Sequence, residues 1–203
     1  MRTTPVLIVD DHPLYVDALQ LALQPILGRA HTFVAPSLTA AVEVLSDQRV
    51  DLVLLDLMLP DAGGLEGIAR VRDLAVGAMV VIVSGRSDPI TINLARAMGA
   101  DGFIAKSSSL AEIQNQLRAL LAGQAIFPPV ERADEVVDAI AALTPAQARV
   151  LAAAATGKLN KQIAHEMNLA ESTVKTHMSA ILKRLGVTNR TQAILAISNG
   201  IPA

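Results

Sequence analysis

Five residues within positions 10–106 have side chains that could act together on one substrate: Asp10, Asp11, Asp56, Ser84 and Lys106. They supply three carboxylates, a hydroxyl and an ammonium. Mg2+ takes about six hard oxygen ligands and keeps several waters, so one or two carboxylates plus a phosphate complete its shell. Asp11 and Asp56 are the expected metal carboxylates, with Asp10 helping through water or through its charge. A carboxylate can also attack phosphorus, which makes Asp56 the expected nucleophile and an aspartyl phosphate the expected product. Lys106 and the metal would offset the mutual repulsion of the acids and the charge developing on the transferred oxygens. The Ser84 hydroxyl can hydrogen-bond a phosphoryl oxygen. The expected cofactor is Mg2+.

The elements that must position these groups are strands. Each residue stands just past an apolar run, over 6–9, 52–55, 79–83 and 102–105. A further strand is expected over 31–34. Helices are expected over about 14–23, 38–47, 65–74, 89–98 and 109–121, with Gly99 stopping the fourth and Ser109 to Glu112 forming a capping box at the start of the fifth. Five strands interleaved with five helices imply right-handed crossovers and a three-layer parallel sheet. Ligands of such sheets bind outside the carboxyl ends of the strands. In the strand order 2-1-3-4-5 the first and third strands are neighbours, so the loops bearing Asp11 and Asp56 face each other.

The charge of −2 is unevenly spread. Nine basic against thirteen acidic residues give −4 over 1–121, one against four gives −3 over 122–142, and seven against two gives +5 over 143–203. An acidic front and a basic back suggest two modules, the second with a polyanion partner. Aromatic content is 2%, so stacking on single-stranded bases is not the expected binding mode. The absence of Cys excludes disulfides, thiolate metal sites and cysteine nucleophiles. The N-terminus enters a strand almost at once, so no signal peptide is expected. The longest apolar stretch, near 74–83, is about half of what a membrane-spanning helix needs. No membrane role and a cytoplasmic location are expected.

Residues 122–142 read as a linker, because Pro128 and Pro129 cannot extend the preceding helix; a short helix is expected over 134–142. From Leu143 onward the pattern is helical. Thr144-Pro145-Ala146-Gln147 has a Thr N-cap, Pro at N1 and Gln at N3, and this helix ends at Gly157. Asn160 is expected to cap a short helix reaching about Met167. Residues 168–170 form a tight connection, a longer helix runs over 171–185 to Gly186, and a last helix capped by Asn189 ends near 199–200. Short helix, tight turn and longer basic helix form a helix-turn-helix layout. Val174, Met178, Ile181, Leu182 and Leu185 make the inward stripe of the longer helix. Lys175, Thr176 and Ser179 lie off it and can reach base edges or phosphates, with Lys183, Arg184, Lys158, Lys161 and Arg190 as further phosphate contacts. His177 reads as a packing or structural residue.

Val9-Asp10-Asp11-His12-Pro13, Leu54-Leu55-Asp56-Leu57-Met58-Leu59-Pro60, Val83-Ser84-Gly85 and Phe103-Ile104-Ala105-Lys106 resemble the receiver domain of bacterial response regulators. The resemblance implies that Asp56 is the phosphoacceptor of a sensor histidine kinase, that the backbone carbonyl of Met58 is a further metal ligand, and that Ser84 and Phe103 form a switch. Ser stands where Thr is more frequent, which keeps the hydroxyl. Phe stands at 103 where Tyr is commoner, which keeps the ring but loses the phenol. Taken alone, Phe103 reads as core.

Leu143-Thr144-Pro145, Gly157, residues 160–164, residues 171–177 and residues 185–190 are similar to the LuxR-type helix-turn-helix. The whole chain thus resembles a NarL/FixJ-family regulator. The implied fold is a flavodoxin-like (βα)5 receiver over 1–121, joined by a linker over 122–142 to a four-helix LuxR-type domain over 143–203. The implied function is phosphorylation-controlled transcription regulation rather than enzymatic turnover. The implied partners are promoter DNA, a sensor histidine kinase, a second copy of the chain when phosphorylated, and RNA polymerase. Residues 146–149 lack the charge-rich, Glu-containing segment common in relatives, and Ala170 is a poor N-cap. Two competing readings are a constitutive DNA binder with a silent receiver and an aspartyl-nucleophile phosphohydrolase. The intact five-residue site counts against the first. Met58, where the haloacid-dehalogenase type needs an acid, counts against the second.

Overall fold

The computed structural model describes residues 4–28, 31–62, 65–129 and 135–198. The first unit carries β1 (Val6–Val9), α1 (Pro13–Leu27), β2 (Thr32–Ala35), α2 (Leu38–Asp47), β3 (Leu52–Asp56), α3 (Glu66–Leu74), β4 (Met79–Ser84), β5 (Gly102–Ala105) and α5 (Leu110–Leu121). The strands form one parallel sheet in the order β2-β1-β3-β4-β5. Val6, Ile8, Leu52, Leu54, Val81, Val83 and Ile104 alternate onto one face, where they join Leu19 and Leu23 of α1 and Ile113, Leu117 and Leu120 of α5 in a single apolar cluster. The intervening residues, Leu7, Val53, Leu55, Val80, Ile82 and Phe103 among them, are equally buried. A sheet covered on both faces needs such uninterrupted apolar runs.

Helix α1 extends one turn beyond the expected end, through Pro25 to Gly28 at φ 66°. Pro25 lacks the amide that a helix interior uses. Ile26 and Leu27 nevertheless pack against the apolar cluster, and that burial holds the extra turn. After α5 the chain returns to the sheet edge, where Phe103 N–H donates to Ile126 O and Ile126 bridges Gly102. A Cβ at position 102 would overlap Ile126 Cγ1 and lie 3.0 Å from the Ile126 carbonyl oxygen, so any larger residue here would push Ile126 away from the sheet edge.

The second unit holds α4 (Pro89–Ala97), α6 (Glu135–Ala141), α7 (Pro145–Ala155), α8 (Asn160–Glu166), α9 (Glu171–Leu185) and α10 (Arg190–Ser198). The compact units therefore depart from the division read in sequence, because α4 groups with residues 129–203. Residues 90–95 are all buried, Thr91 and Asn93 included, so α4 is covered around its circumference and packs against α6. Among α7 to α10 the core is small and aliphatic, with Val150, Leu151, Ile163, Val174, Ile181, Ala193 and Ile197 buried. Of the stripe expected on α9, Val174, Met178, Ile181 and Leu185 are buried and Leu182 is half-buried.

The capping boxes at Ser109/Glu112 and Thr144/Gln147 form as expected. One cap differs. Asn160 is the first residue of α8, and its N-cap is Leu159, whose N–H donates to Gln162 Oε1 at 2.7 Å. The Asn160 side chain instead accepts from Arg190. Asn168, at φ 52°, makes the tight turn between α8 and α9, a left-handed conformation that Asn tolerates. The expected end of α10 near 199–200 lies outside the described residues.

Candidate functional site: an acidic pocket at the strand ends

The first unit gathers its polar groups where β1, β3, β4 and β5 end. Asp10 and Asp56 are 3% and 2% exposed, and Ser84 is wholly buried. Buried carboxylates need compensation, and Lys106 provides it. Its Nζ lies 2.7 Å from Asp56 Oδ2 and 2.7 Å from Asp10 Oδ2. Burial alone would push the Lys106 ammonium down in pKa, but hydrogen bonds to Asp10 and Asp56, together with their charges, outweigh it and raise the pKa. The Lys106 N–H donates to Ser84 O at 2.7 Å, which fixes β5 beside β4 at the pocket floor.

The remaining oxygens are also held. Asp56 Oδ1 accepts the Met58 N–H at 3.0 Å, closing a tight turn over residues 56–58. Asp10 Oδ1 accepts the His12 N–H at 2.9 Å. Ser84 Oγ accepts the Arg86 N–H at 3.1 Å. Asp61, further along the same loop, accepts from Leu38 N–H, Thr39 N–H and Thr39 Oγ1 at 2.8–2.9 Å, tying the loop to the start of α2. Those Thr39 and Leu38 donors hold the Asp61 carboxyl below its usual pKa. Phe103 is fully buried in β5, in register with Ile82.

Three carboxylates meet one ammonium here, so the pocket keeps an excess of negative charge. The donor set fits a hard divalent cation: Asp10, Asp11, His12 and Asp56 each offer an atom, and these atoms lie within 4.8 Å of one another. Two residues of this pocket were not singled out from the sequence. His12 places Nδ1 2.8 Å from Asp11 Oδ1 and 3.1 Å from Asp10 Oδ1. Tyr15, on α1, lies under Lys106, with Nζ 4.9 Å from the ring centroid. Burial first, then the charges of Asp10 and Asp56, push its phenol up to about 12. The only available signal was their nearness to the Asp10-Asp11 pair in sequence.

In the second unit, α9 exposes Lys175, Thr176, Ser179, Lys183 and Arg184. Lys175 pairs with Glu171 one turn back at 2.9 Å, and Thr176 Oγ1 donates to Ser172 O at 3.0 Å. Lys161 is exposed on α8. Lys158 pairs with Glu166 at 2.8 Å. Arg190 is turned inward: it donates to Asn160 Oδ1 at 3.2 Å, to Ala154 O at 3.1 Å and to Lys158 O. Burial lowers its pKa. Arg190 thus ties the start of α10 to the α7–α8 connection. Among the described residues, no helix is long and apolar enough to cross a membrane.

Comparison with known proteins covers both the strand-end pocket and the helical segment, with α4 inside the first match. Residues 6–118 match the response regulator receiver domain, and residues 141–197 match the luxR family of bacterial regulatory proteins. The chain is 35% identical to a glycerol metabolism activator of Pseudomonas putida, covering 94% of this chain and 93% of that one. It is 30% identical to the transcriptional regulatory protein DesR of Bacillus subtilis over 76% of each chain. RcsB from Salmonella enterica serovar Typhimurium, bound to promoter rprA with the phosphomimetic BeF3−, superposes with a TM-score of 0.64 at 20% identity, over 97% of this chain and 99% of that one. The strand-end acids with their lysine and the helix-turn-helix with its exposed basic helix sit in the two segments these matches cover, and the chain belongs to the response regulators of the NarL/FixJ type, a receiver domain followed by a LuxR-type helix-turn-helix domain.

Proposed function

We propose that this protein is a phosphorylation-controlled, DNA-binding transcription regulator whose phosphoacceptor is Asp56. The observation that carries the proposal is the seating of Asp56 between the Lys106 ammonium and the Asp10-Asp11 pair, beside the buried Ser84 hydroxyl. A carboxylate oxygen of Asp56 attacks phosphorus as the phosphorus–nitrogen bond of a kinase phosphohistidine breaks, the electron pair leaving with the donor imidazole. Lys106 turns from its carboxylates to a phosphoryl oxygen, and Ser84 donates to another. Asp11, Asp56 and the Met58 carbonyl would hold Mg2+, with Asp10 helping through water or charge, and the bound cation would offset charge on the transferred oxygens.

The receiver spans 1–121, the linker 122–142 and the DNA-binding domain 143–203. Repacking around Ser84 and Phe103 shifts an existing equilibrium toward a dimeric, DNA-competent form. Lys175, Thr176 and Ser179 face the major groove, and Lys161 and Lys183 meet phosphates, as the exposed side of α9 and the start of α8 allow. The sequence makes Arg190 a candidate phosphate contact, whereas its inward hydrogen bonds favour bracing α10 against the α7–α8 connection. The relatives that bear regulator names, and RcsB bound to promoter DNA, support this reading.

The test uses a small phosphodonor with Mg2+. One acid-stable, base-labile phosphoryl group should add to the protein, and Asp56→Asn should abolish it. Phosphorylation should also raise affinity for promoter DNA. Persistent labelling of Asp56→Asn, or promoter affinity indifferent to phosphorylation, would overturn the proposal.

A further inference from the structure

We propose that Tyr15 is a positioning residue for phosphoryl transfer: its ring face keeps the Lys106 ammonium in the pocket while that ammonium passes from the carboxylates to the incoming phosphoryl group. This rests on the reading of Asp56 as the phosphoacceptor. Three observations carry it. Lys106 Nζ stands over the Tyr15 ring, 4.9 Å from its centroid, within the range of a cation–π contact. An ammonium has three N–H donors. Asp10 Oδ2 and Asp56 Oδ2, each at 2.7 Å, take two of them, and the ring face covers a further side. The ring itself is held, because Tyr15 packs against the apolar cluster that α1 and α5 share with the sheet. Its phenol oxygen is buried and has no hydrogen-bond partner, so the ring and not the hydroxyl makes the contact with Lys106.

The consequence lies in what Lys106 must do during the reaction. As the bond from an Asp56 oxygen to phosphorus forms, the donor's bond to phosphorus breaks and its electron pair leaves with the donor. Negative charge then sits on the phosphoryl oxygens, and the ammonium has to follow it. The Lys106 side chain is flexible and 18% exposed, so water competes for the ammonium once it releases Asp56. A ring quadrupole attracts a cation without a directional hydrogen bond. It therefore supports the ammonium at either position and competes with neither the carboxylate nor the phosphoryl oxygen. An acid at position 15 would trap Lys106, and an aliphatic residue would fill the space without attracting it.

Phosphorylation of the full chain by acetyl phosphate with Mg2+, followed by intact mass spectrometry, tests this. Tyr15→Leu should lower the initial rate about fivefold, the worth of a partly exposed cation–π contact, whereas Tyr15→Phe keeps the ring and should stay within about twofold of wild type. In a Lys106→Gln background, Tyr15→Leu should bring no further loss, because the ring then has no cation to hold. Proton NMR of the wild-type protein gives a reading that no variant's folding can disturb. The ring current should move the Lys106 Cε protons upfield of the ordinary lysine range, their signals assigned by their absence from Lys106→Gln. Ordinary Lys106 shifts, a loss in Tyr15→Phe as large as in Tyr15→Leu, or the same loss from Tyr15→Leu with and without Lys106 would overturn the role of Tyr15 and leave the phosphoacceptor reading standing. A wild-type protein that takes no phosphoryl group on Asp56 would overturn that reading, and the role of Tyr15 with it.

Discussion

Lys106 Nζ lies 2.7 Å from Asp56 Oδ2, across the end of β4 from the strand that carries Asp56. The same ammonium is 2.7 Å from Asp10 Oδ2, so one cation holds two buried carboxylates apart from each other's charge. Lys106→Ala should therefore destabilise the metal-free protein by about 1–3 kcal/mol, the pair being partly exposed on the Lys106 side. Urea unfolding measures this. Adding Asp56→Asn in the same chain should recover part of the loss, because it removes one of the two uncompensated charges. Since the folded Lys106 pKa is raised, its contribution is full below the unfolded value and is lost as pH rises through the folded one.

Tyr15 gives a pH dependence with a single-site readout, as the chain has one Tyr and no Trp. The phenol is pushed from 10.0 to about 12, by burial first and then by Asp10 and Asp56. A group with a raised folded pKa contributes stability that is present in full below its unfolded value. Here it is lost as pH climbs from about 10 toward 12. Tyrosinate absorbance of the folded protein should rise near pH 12, and that of the urea-unfolded protein near pH 10. Tyr15→Phe should remove this component of alkaline destabilisation. Coincident folded and unfolded titrations would refute it.

Lys175 and Glu171 make an opposing pair of predictions. Lys175→Ala should cost about 1–3 kcal/mol of DNA affinity if it reads a base, with relaxed preference at that base pair. Glu171 pairs with the same ammonium at 2.9 Å. Both side chains are exposed, so the pair is weak, and releasing it is cheap. Glu171→Gln should strengthen DNA binding by freeing Lys175 and removing a negative charge near phosphate. Fluorescence anisotropy over a salt series reads both changes, and equal affinities in the two variants would contradict the placement of α9.

Arg190 and Lys161 should separate under the same treatment. Arg190 donates inward to Asn160 and two backbone carbonyls, whereas Lys161 is exposed. Arg190→Gln should lower the thermal midpoint of the helical unit by leaving buried acceptors unpaired. Lys161→Gln should leave the midpoint in place and reduce the salt dependence of DNA binding by about one phosphate contact. Scanning calorimetry and binding isotherms together check both.

How far the sequence determined this protein follows from the range of the interactions involved. The capping boxes at Ser109/Glu112 and Thr144/Gln147 join residues three apart, so local chemistry specifies them and they form as read. The apolar runs of β1, β3, β4 and β5 each end at a residue of the acidic pocket, and a parallel sheet brings strand ends together. The five pocket residues and the strand order were legible for that reason. The tertiary structure alone decided the rest. Asp10 meets Lys106 directly, a contact no local pattern records, because that distance depends on strands far apart in the chain. Asn160 gives its side chain to Arg190 rather than to a helix cap, because a guanidinium thirty residues on reaches it first. Pro25 remains helical because Ile26 and Leu27 gain burial that outweighs a missing amide. Helix α4 groups with the second unit because both its faces are apolar enough to be covered, a choice that no local pattern records. His12 and Tyr15 enter the pocket because α1 begins at its rim, and the direction of a ring from a helix start is set by what surrounds it.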